Sequence, residues 1–445
     1  MLRCLFHPLV IVWPVMKAGV LAGASDPATL DLLAAVPTLA FSSVSVALVA
    51  LLARRWGWAM PTALAAAFFQ GVAWLPLAYG ASPYPRPIST ALLLAAFVLV
   101  TSERRAAAAC LAAGGLAGAA FAVRFSEGVV LLPLLAWTWW RFRDGRRFAA
   151  LLAGFVAGAC LCAGIVDWLT WGKPFASLFA FFRIMWLEIP EARLAREENF
   201  VWYFYSLLRW LGPILLLLIL YGVRDRRYRP ALALGAGTVL LMSCFAHKEW
   251  RYLQAALPFL AMAAAGGWER LRERRWRAAA ATALLLCIPY GLERASAALG
   301  DRVSSGLAAA RYIREMRPQP RLLALEQTWA YGEHLWLGNA VEIREIEYNK
   351  PFRPGAIRRD AAGAEVVGVY AQHLDRHSLE ELAALGFRPL VSFPGGKSFE
   401  CSLFGRGAFA PVGRPPDGSR GAAGIGAPAP LIRLASTPPR AHGTR

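Results

Sequence analysis

The chain has 445 residues, of which 57% are hydrophobic and only 17% are charged, and its mean hydropathy is +0.42. About a quarter of the residues of a soluble protein are charged, so this composition excludes an ordinary soluble globular protein and indicates a membrane protein. The formal charge of +19 does not indicate nucleic-acid binding, because no fold signature of such proteins accompanies the arginines.

Apolar segments with few charges recur along roughly the first 295 residues. Several approach the roughly 20 residues that a helix needs to cross a bilayer. Val129–Trp140 is shorter and is counted as a span because the alternation of the loops requires it. The sequence therefore predicts about ten spans. The other nine are Leu32–Ala53, Trp58–Tyr79, Ile88–Thr101, Ala106–Val123, Phe148–Val166, Trp210–Gly222, Pro230–Ala246, Tyr252–Gly267 and Ala278–Leu292.

Arginine clusters occupy every second loop between these spans. The clusters lie at 54–55, 104–105, 141–147, 224–229 and 270–277. Such alternation follows the positive-inside rule, so these loops are predicted to face the cytoplasm. The alternate loops, at 79–87, 124–128, 167–209 and 247–251, are then predicted to face the periplasm or an organelle lumen, together with the chain after about residue 293.

The predicted outer loops carry isolated charges beside many aromatic side chains. Arg86 lies in a proline-rich turn, and Arg124 and Glu127 are spaced to pair with each other on a helix. The stretch 166–210 is rich in Trp, Phe and Tyr and is predicted to form amphipathic helices at the outer interface. It is interpreted either as an aromatic belt or as one wall of a lipid groove.

The segment CFAHKEWRYLQAALPFL, residues 244–260, places four ionisable side chains within five positions. These are His247, Lys248, Glu249 and Arg251. On a helix, His247 and Arg251 would share one face. Their cations at the outer interface suit a phosphate group, which forms strong charge-assisted hydrogen bonds. An interfacial ion cluster that only anchors the helix is the alternative.

The character of the sequence changes after Leu292. Helices are predicted at 302–316 and 378–387, the second with a capping box from Ser378 to Glu381. Strands are predicted at 321–326, 341–348, 366–371 and 389–394. The predicted organisation is therefore an all-α polytopic membrane domain (1–295), a small extracytoplasmic α/β domain (296–405) and a disordered tail rich in Pro, Gly and Arg (406–445).

The order His-Lys-Glu, then Trp-Arg-Tyr, then LQAALPFLAMAAAGG resembles the hallmark motif of the HKE-type mannosyltransferases. These enzymes form glycosyltransferase family twenty-two and have the GT-C fold. Supporting likenesses are GIVDWLTWGKPFASL (164–178), WYFYSLLRWLGPILLLL (202–218) and YPRPIST (84–90). The resemblance covers roughly residues 5–295.

The resemblance implies transfer of a sugar, usually mannose, from a polyprenyl- or dolichyl-phosphate donor to a lipid-linked or glycolipid acceptor, with inversion and without a metal or cofactor. Lys248 and Arg251 would stabilise the leaving phosphate, and His247 would donate a hydrogen bond to it. Glu249 would either hold one of the cations in place or take a proton. Residues expected to line the groove are Arg86, Arg124, Asp167, Trp168 and Arg183. Membrane lipid is the other expected partner, in a bacterial inner membrane with the site facing the periplasm, or in the ER of a eukaryote.

The sequence departs from the family pattern at its beginning. The family carries its catalytic carboxylate in an outer loop after a first span, but here the first carboxylates are Asp26 and Asp31, next to a predicted span. No catalytic base is identified. Either the true start lies upstream of Met1, or the protein is an inactive member that binds polyprenyl-phosphate lipid without transferring sugar.

Overall fold

The structure is a computed structural model of the chain, and it forms two compact units, Met1–Ala298 and Leu299–Arg445. The residues that it describes are 5–80, 84–103, 106–183, 199–245, 248–271, 274–326, 328, 336–338, 340–346, 352, 355–394, 400–407, 409 and 420–421.

The regular secondary structure of the first unit is helical wherever the structure describes it. A π-helical segment at Phe6–Val12 leads into the first helix, and another at Cys160–Ile165 joins α8 to α9. The helices are α1 (Trp13–Leu21), α2 (Pro27–Arg55), α3 (Met60–Val72), α4 (Trp74–Gly80), α5 (Arg86–Val100), α6 (Ala106–Val123), α7 (Leu131–Phe142), α8 (Gly145–Ala159), α9 (Val166–Trp171), α10 (Ala176–Arg183), α11 (Trp202–Gly222), α12 (Arg229–Ser243) and α13 (Leu257–Arg270). Helix α14 (Arg274–Glu315) begins in the first unit and ends in the second.

Helix starts in this unit follow local chemistry. Asp26 precedes α2, and its Oδ1 accepts a hydrogen bond from the N–H of Thr29 at 3.0 Å. Prolines occupy the first or second position of α2, α3, α5, α12 and α13, where their missing N–H costs no helical hydrogen bond. Each of these helices therefore begins close to where the apolar segment begins in the sequence.

Among the described residues, three helical stretches are long and apolar enough to cross a membrane: Pro27–Arg55, Ala106–Val123 and Gly145–Trp171. Four shorter apolar helices accompany them, and one of these, Phe6–Leu21, lies where the sequence analysis placed no span. The predicted span Trp58–Tyr79 is divided into α3 and α4. The count of about ten spans stays a prediction.

Small residues let two pairs of helices approach closely. A Cβ added to Gly118 of α6 would lie 2.6 Å from the backbone nitrogen of Ala159, and one added to Gly158 of α8 would lie 2.9 Å from the Cα of Gly115. At the contact between α11 and α13, a Cβ on Gly222 would lie 2.7 Å from the backbone nitrogen of Gly267. These glycines act as small residues do at membrane helix interfaces, where they allow backbones to touch.

The chain around α5 and α13 meets at two points. Phe97 of α5 and Phe259 of α13 meet edge to face with ring centroids 4.8 Å apart, and both are buried. The start of α5 meets the residues just before α13 separately, where the guanidinium of Arg86 lies over the Tyr252 ring.

The second unit contains a six-stranded sheet in the order β2-β1-β3-β5-β4-β6. Its strands are β1 (Leu322–Glu326), β2 (Glu342–Ile346), β3 (Val366–Tyr370), β4 (Arg388–Phe393), β5 (Cys401–Gly405) and β6 (Arg420–Gly421). Strand β1 pairs in parallel with β2 and β3, and the other pairings are antiparallel. The described residues of this unit also form two short helices, α15 (Ala356–Asp360) and α16 (Arg376–Ala384), in addition to the end of α14.

The four predicted strands correspond to β1–β4, whereas β5 was missed. The predicted helix at 378–387 begins earlier, at Arg376, because Asp375 and not Ser378 is its N-cap: Asp375 Oδ1 accepts the N–H of Ser378 at 2.7 Å. Within the tail predicted to be disordered, Arg420–Gly421 forms β6 beside β4. Most of the remaining tail lies outside the described residues.

Candidate functional site

A buried ion pair joins the start of α5 to the turn after α6. Arg86 is the first residue of α5, and Glu127 lies in a 3₁₀ turn at Phe125–Val130. Nη1 of Arg86 donates to Oε1 of Glu127 at 2.8 Å, and neither side chain is exposed. The expected pairing of Glu127 with Arg124 was wrong, because Arg124 is extended (φ −154°, ψ 116°) and the helical spacing does not apply.

Two tyrosine rings bring Arg86 of this pair together with two further arginines, Arg124 and Arg251. The guanidinium carbon of Arg86 lies 4.2 Å from the centre of the Tyr252 ring, and that of Arg124 lies 5.8 Å from it. The centre of the Tyr84 ring lies 5.9 Å from the guanidinium carbon of Arg124 and 5.0 Å from that of Arg251. These are cation–π distances, so the ring faces stabilise three like charges in close proximity. We call Arg86, Arg124, Arg251, Tyr84 and Tyr252 the arginine cluster.

Several buried atoms of the ion pair have no hydrogen-bond partner among the residues that the structure describes. They are Nε and Nη2 of Arg86 and Oε2 of Glu127. A buried polar atom without a partner costs roughly 1–3 kcal/mol, so proteins rarely leave one without a reason. Two free guanidinium donors on one fully buried arginine suit an anion with several oxygens, such as a phosphate.

The segment after α12 is not the helix that was expected. Helix α12 ends at Ser243, Glu249 is extended (φ −134°, ψ 138°), and a 3₁₀ turn follows at Trp250–Leu253. The prediction that His247 and Arg251 share a helical face is therefore wrong, because extended backbone interrupts the helix between them. His247 itself lies outside the described residues.

Within this segment Glu249 and Arg251 form an ion pair with each other. Lys248 is buried, and its Nζ donates to the carbonyl oxygen of Phe245 at 2.5 Å, next to the end of α12. Tyr203, from the first turn of α11, contacts the Glu249 backbone through its hydroxyl. The segment thus connects α11 and α12 to the arginine cluster.

The other expected groove residues lie on α9 and α10. Asp167 is buried, and its Oδ2 accepts the N–H and the hydroxyl of Ser177 at 2.9 and 2.5 Å, so its carboxylate caps α10. Trp168 is 60% exposed, and Arg183 is exposed at the end of α10. No described contact joins these three residues to the arginine cluster.

Helix α10 nevertheless borders the cluster through an aromatic contact. The rings of Phe181 on α10 and Phe125, which follows Arg124, are 5.6 Å apart. Helix α10 therefore lies beside the 3₁₀ turn that carries Glu127.

Three neighbouring arginines act on the pKa of Tyr84. Burial raises the pKa of its phenol, but the charges of Arg251, Arg124 and Arg86 outweigh burial and bring the pKa below its usual value. Burial also lowers the pKa of Arg251, while the neighbouring tyrosines act to raise it. For Glu127, burial raises the pKa of the carboxyl against the opposing charges of Arg86 and Arg124. The lowered pKa of Tyr84 is thus a consequence of the positive potential that the three arginines create.

Sequence reasoning missed three contributors. Tyr84 was quoted only as part of a proline-rich loop, Glu127 was given the wrong partner, and Tyr203 was not singled out among the aromatics of its stretch. A signal existed for Tyr84, which lies two residues before an arginine in a predicted outer loop. The sequence carried no such signal for Tyr203, because this residue contacts the backbone of Glu249, 46 residues further along the chain.

Comparison with known proteins identifies a family likeness over most of the chain. The model of the Alg9-like mannosyltransferase family matches residues 1–299, which include every residue of the arginine cluster.

Solved structures of glycosyltransferases share the fold. ArnT from Cupriavidus metallidurans bound to undecaprenyl phosphate has a TM-score of 0.57 at 13% identity, over 86% of this chain and 85% of that one. The apo state of the same protein has a TM-score of 0.59 at 12% identity, over 92% of this chain and 88% of that one. The oligosaccharyltransferase AglB from Archaeoglobus fulgidus, in complex with an inhibitory peptide and a dolichol-phosphate, has a TM-score of 0.50 at 13% identity. The match covers 94% of this chain and 67% of that one. At these identities the likeness shows a common GT-C fold.

Proposed function

The chain belongs to the Alg9-like mannosyltransferase family, and we propose that it transfers a sugar from a polyprenyl-phosphate donor to a lipid-linked or glycolipid acceptor. Mannose is the proposed sugar because it is the sugar of the family. Inversion at the sugar carbon is proposed from the same resemblance. The proposed setting is a bacterial inner membrane with the arginine cluster on the periplasmic side.

The observation that carries the proposal is the convergence of Arg86, Arg124 and Arg251 on two tyrosine rings. Glu127 and Glu249 each neutralise one arginine, so one positive charge remains in excess. One charge matches the single negative charge of a lipid phosphodiester. The unpartnered Nε and Nη2 of Arg86 are donors for its oxygens.

Charge development gives the cluster its catalytic role. When the bond between the sugar and the phosphate breaks, the phosphate gains negative charge, and preformed cations stabilise that charge in the transition state. Lys248, adjacent in sequence to Glu249, would supply a further charge after leaving the carbonyl of Phe245. Ground-state binding and catalysis would then use overlapping sets of cations.

The experiment compares Lys248→Arg, Arg251→Lys and the two alanine variants for transfer from polyprenyl-phosphate mannose in membranes. Loss of a charge-assisted contact costs about 1.5–3 kcal/mol, or roughly ten- to a hundredfold in rate. The conservative exchanges should also lose activity, because a planar guanidinium and a compact ammonium present their donors differently. Arg376→Lys, at a side chain that is 92% exposed in the second unit, is the matched control.

Two results separate the alternatives. Near-full transfer by all four variants at normal abundance would make the segment an anchor and refute the phosphate role. Saturable binding of the donor by the unaltered protein, without any transfer to added glycolipid, would instead support the inactive lipid-binding member.

A further inference from the structure

The geometry points to Tyr203 as a positioning residue for the segment that carries Lys248, Glu249 and Arg251. Tyr203 lies in the first turn of α11, and its side chain is fully buried. Its hydroxyl donates to the carbonyl oxygen of Glu249 at 3.0 Å and accepts the N–H of Glu249 at 3.3 Å. One side chain thus binds both backbone polar groups of a residue in the centre of the segment.

The backbone conformation shows what the Tyr203 hydroxyl adds at Glu249. Glu249 is extended between the end of α12 and the 3₁₀ turn that begins at Trp250, and its carbonyl oxygen also accepts the N–H of Tyr252 at 2.9 Å. Backbone groups away from water are almost always paired, because leaving them unpaired is costly. The Tyr203 hydroxyl therefore gives this carbonyl oxygen a second donor, and it gives the Glu249 N–H an acceptor.

A fixed backbone position at Glu249 also restricts the positions of the neighbouring side chains. The Glu249 carboxylate pairs with Arg251, whose guanidinium lies over the Tyr84 ring, and Lys248 is the preceding residue. If Lys248 and Arg251 bind the donor phosphate as proposed above, Tyr203 acts through them and does not itself touch the donor. Small shifts of groups that face a transition state lower rates strongly, so the hydroxyl should affect transfer.

The test is Tyr203→Phe, which removes the hydroxyl and keeps the ring that packs edge to face against Trp202 at 5.1 Å. Transfer is measured per folded molecule in detergent, with polyprenyl-phosphate mannose as donor and a glycolipid as acceptor. We expect kcat/KM for the donor to fall about five- to tenfold, the size expected for one or two neutral hydrogen bonds. KM for the acceptor should not change.

Tyr205→Phe is the matched control, because Tyr205 lies two residues along the same helix and is 51% exposed. Hydrogen exchange of residues 248–253 provides a readout that does not depend on activity. It should quicken in Tyr203→Phe and not in Tyr205→Phe. A purely structural role would lower abundance in Tyr203→Phe and leave transfer per folded molecule unchanged.

The outcomes separate this inference from the proposed function. Full transfer and unchanged exchange in Tyr203→Phe, with transfer lost in Lys248→Ala and Arg251→Ala, would overturn the role of Tyr203 alone. Full transfer in Lys248→Ala and Arg251→Ala would overturn the proposed function, whatever Tyr203→Phe shows. If Tyr203→Phe does not accumulate, the exchange of residues 248–253 in Glu249→Gln decides: protection at the level of the unaltered protein supports the backbone clamp, and lost protection overturns it.

Discussion

Arg86 and Glu127 are 41 residues apart in the sequence, yet their side chains meet at 2.8 Å with no exposure to solvent. The pair joins α5 to the turn between α6 and α7. The carboxylate of Glu127 binds Nη1 of this guanidinium, whereas Nε and Nη2 have no partner in the described part of the chain. A contact of this kind can stabilise the fold and orient a ligand-binding group at the same time.

The two contributions of the pair can be separated by substitution. Glu127→Gln or Arg86→Met alone leaves a buried charge without its partner and should destabilise the protein by about 3–5 kcal/mol. The double variant Arg86→Met/Glu127→Leu removes both charges and should recover much of the melting temperature. Transfer should stay low in all three, because each removes either the Arg86 guanidinium or the carboxylate that holds it in place.

Melting in detergent and transfer per folded molecule would be measured in parallel. Recovery of transfer together with stability in the double variant would show that Arg86 has no role beyond folding.

The Tyr252 ring lies beneath two guanidinium groups, so its face should matter more than its hydroxyl. Tyr252→Phe keeps the ring and should retain more transfer than Tyr252→Leu. A buried cation–π contact contributes about 2 kcal/mol, so the leucine variant should lose roughly tenfold or more in kcat/KM for the donor. Steady-state assays in membranes, corrected for protein level, would measure this. Equal activity of the two variants would contradict a role for the ring face.

Helix boundaries were largely predictable, whereas the partners of the site were not. The sequence analysis placed a span at Ala106–Val123, the bounds of α6, because charged residues end the apolar run abruptly. Glu127 was assigned to Arg124 by spacing, but its partner lies on another helix. The segment after α12 was predicted as helix since nothing in its composition signals the extended Glu249. Long-range contacts and local breaks depend on packing that a single sequence does not display.

Close approach of α6 and α8 yields a prediction from two adjacent glycines. A Cβ on Gly114 would lie 2.6 Å from the backbone nitrogen of Phe155, whereas one on Gly115 would lie 4.0 Å from the nearest atom, the Gly154 carbonyl oxygen. Gly114→Ala should therefore push the helices apart and cost about 1–3 kcal/mol, and Gly115→Ala should be tolerated. Melting temperatures in detergent would compare them. An equal loss in both variants would argue against this interface.

The N-cap of α16 gives a pH-dependent prediction. Hydrogen bonds from the hydroxyl and the N–H of Ser378 hold the pKa of Asp375 below its usual value. Since the folded-state pKa is the lower one, the stabilisation is fully present above the unfolded pKa and is lost as the pH falls through the folded pKa. Asp375→Ala should cost about 1 kcal/mol of helix stability at neutral pH, whereas Asp375→Asn should cost little.

Hydrogen exchange of residues 376–384 in the full-length protein, corrected for intrinsic rates, would measure the effect. The difference in hydrogen-exchange protection between the unaltered protein and Asp375→Ala should shrink below about pH 4, near the usual pKa of an aspartate. The asparagine variant should show no such pH dependence. A difference that persists at low pH would mean that the carboxylate charge does not contribute.

The arginine-rich loops alternate with loops that carry few cations, and this alternation predicts the orientation of the chain in the membrane. Alkaline phosphatase fused after Gly405 should be active in a bacterial host, since the enzyme folds only outside the cytoplasm and the positive-inside rule places the second unit there. The matched fusion after Arg227, in a predicted cytoplasmic loop, should be inactive. A cytoplasmic reporter at the same two positions should give the reverse pattern. Activity after Arg227 and none after Gly405 would invert the topology and move the arginine cluster to the cytoplasmic side.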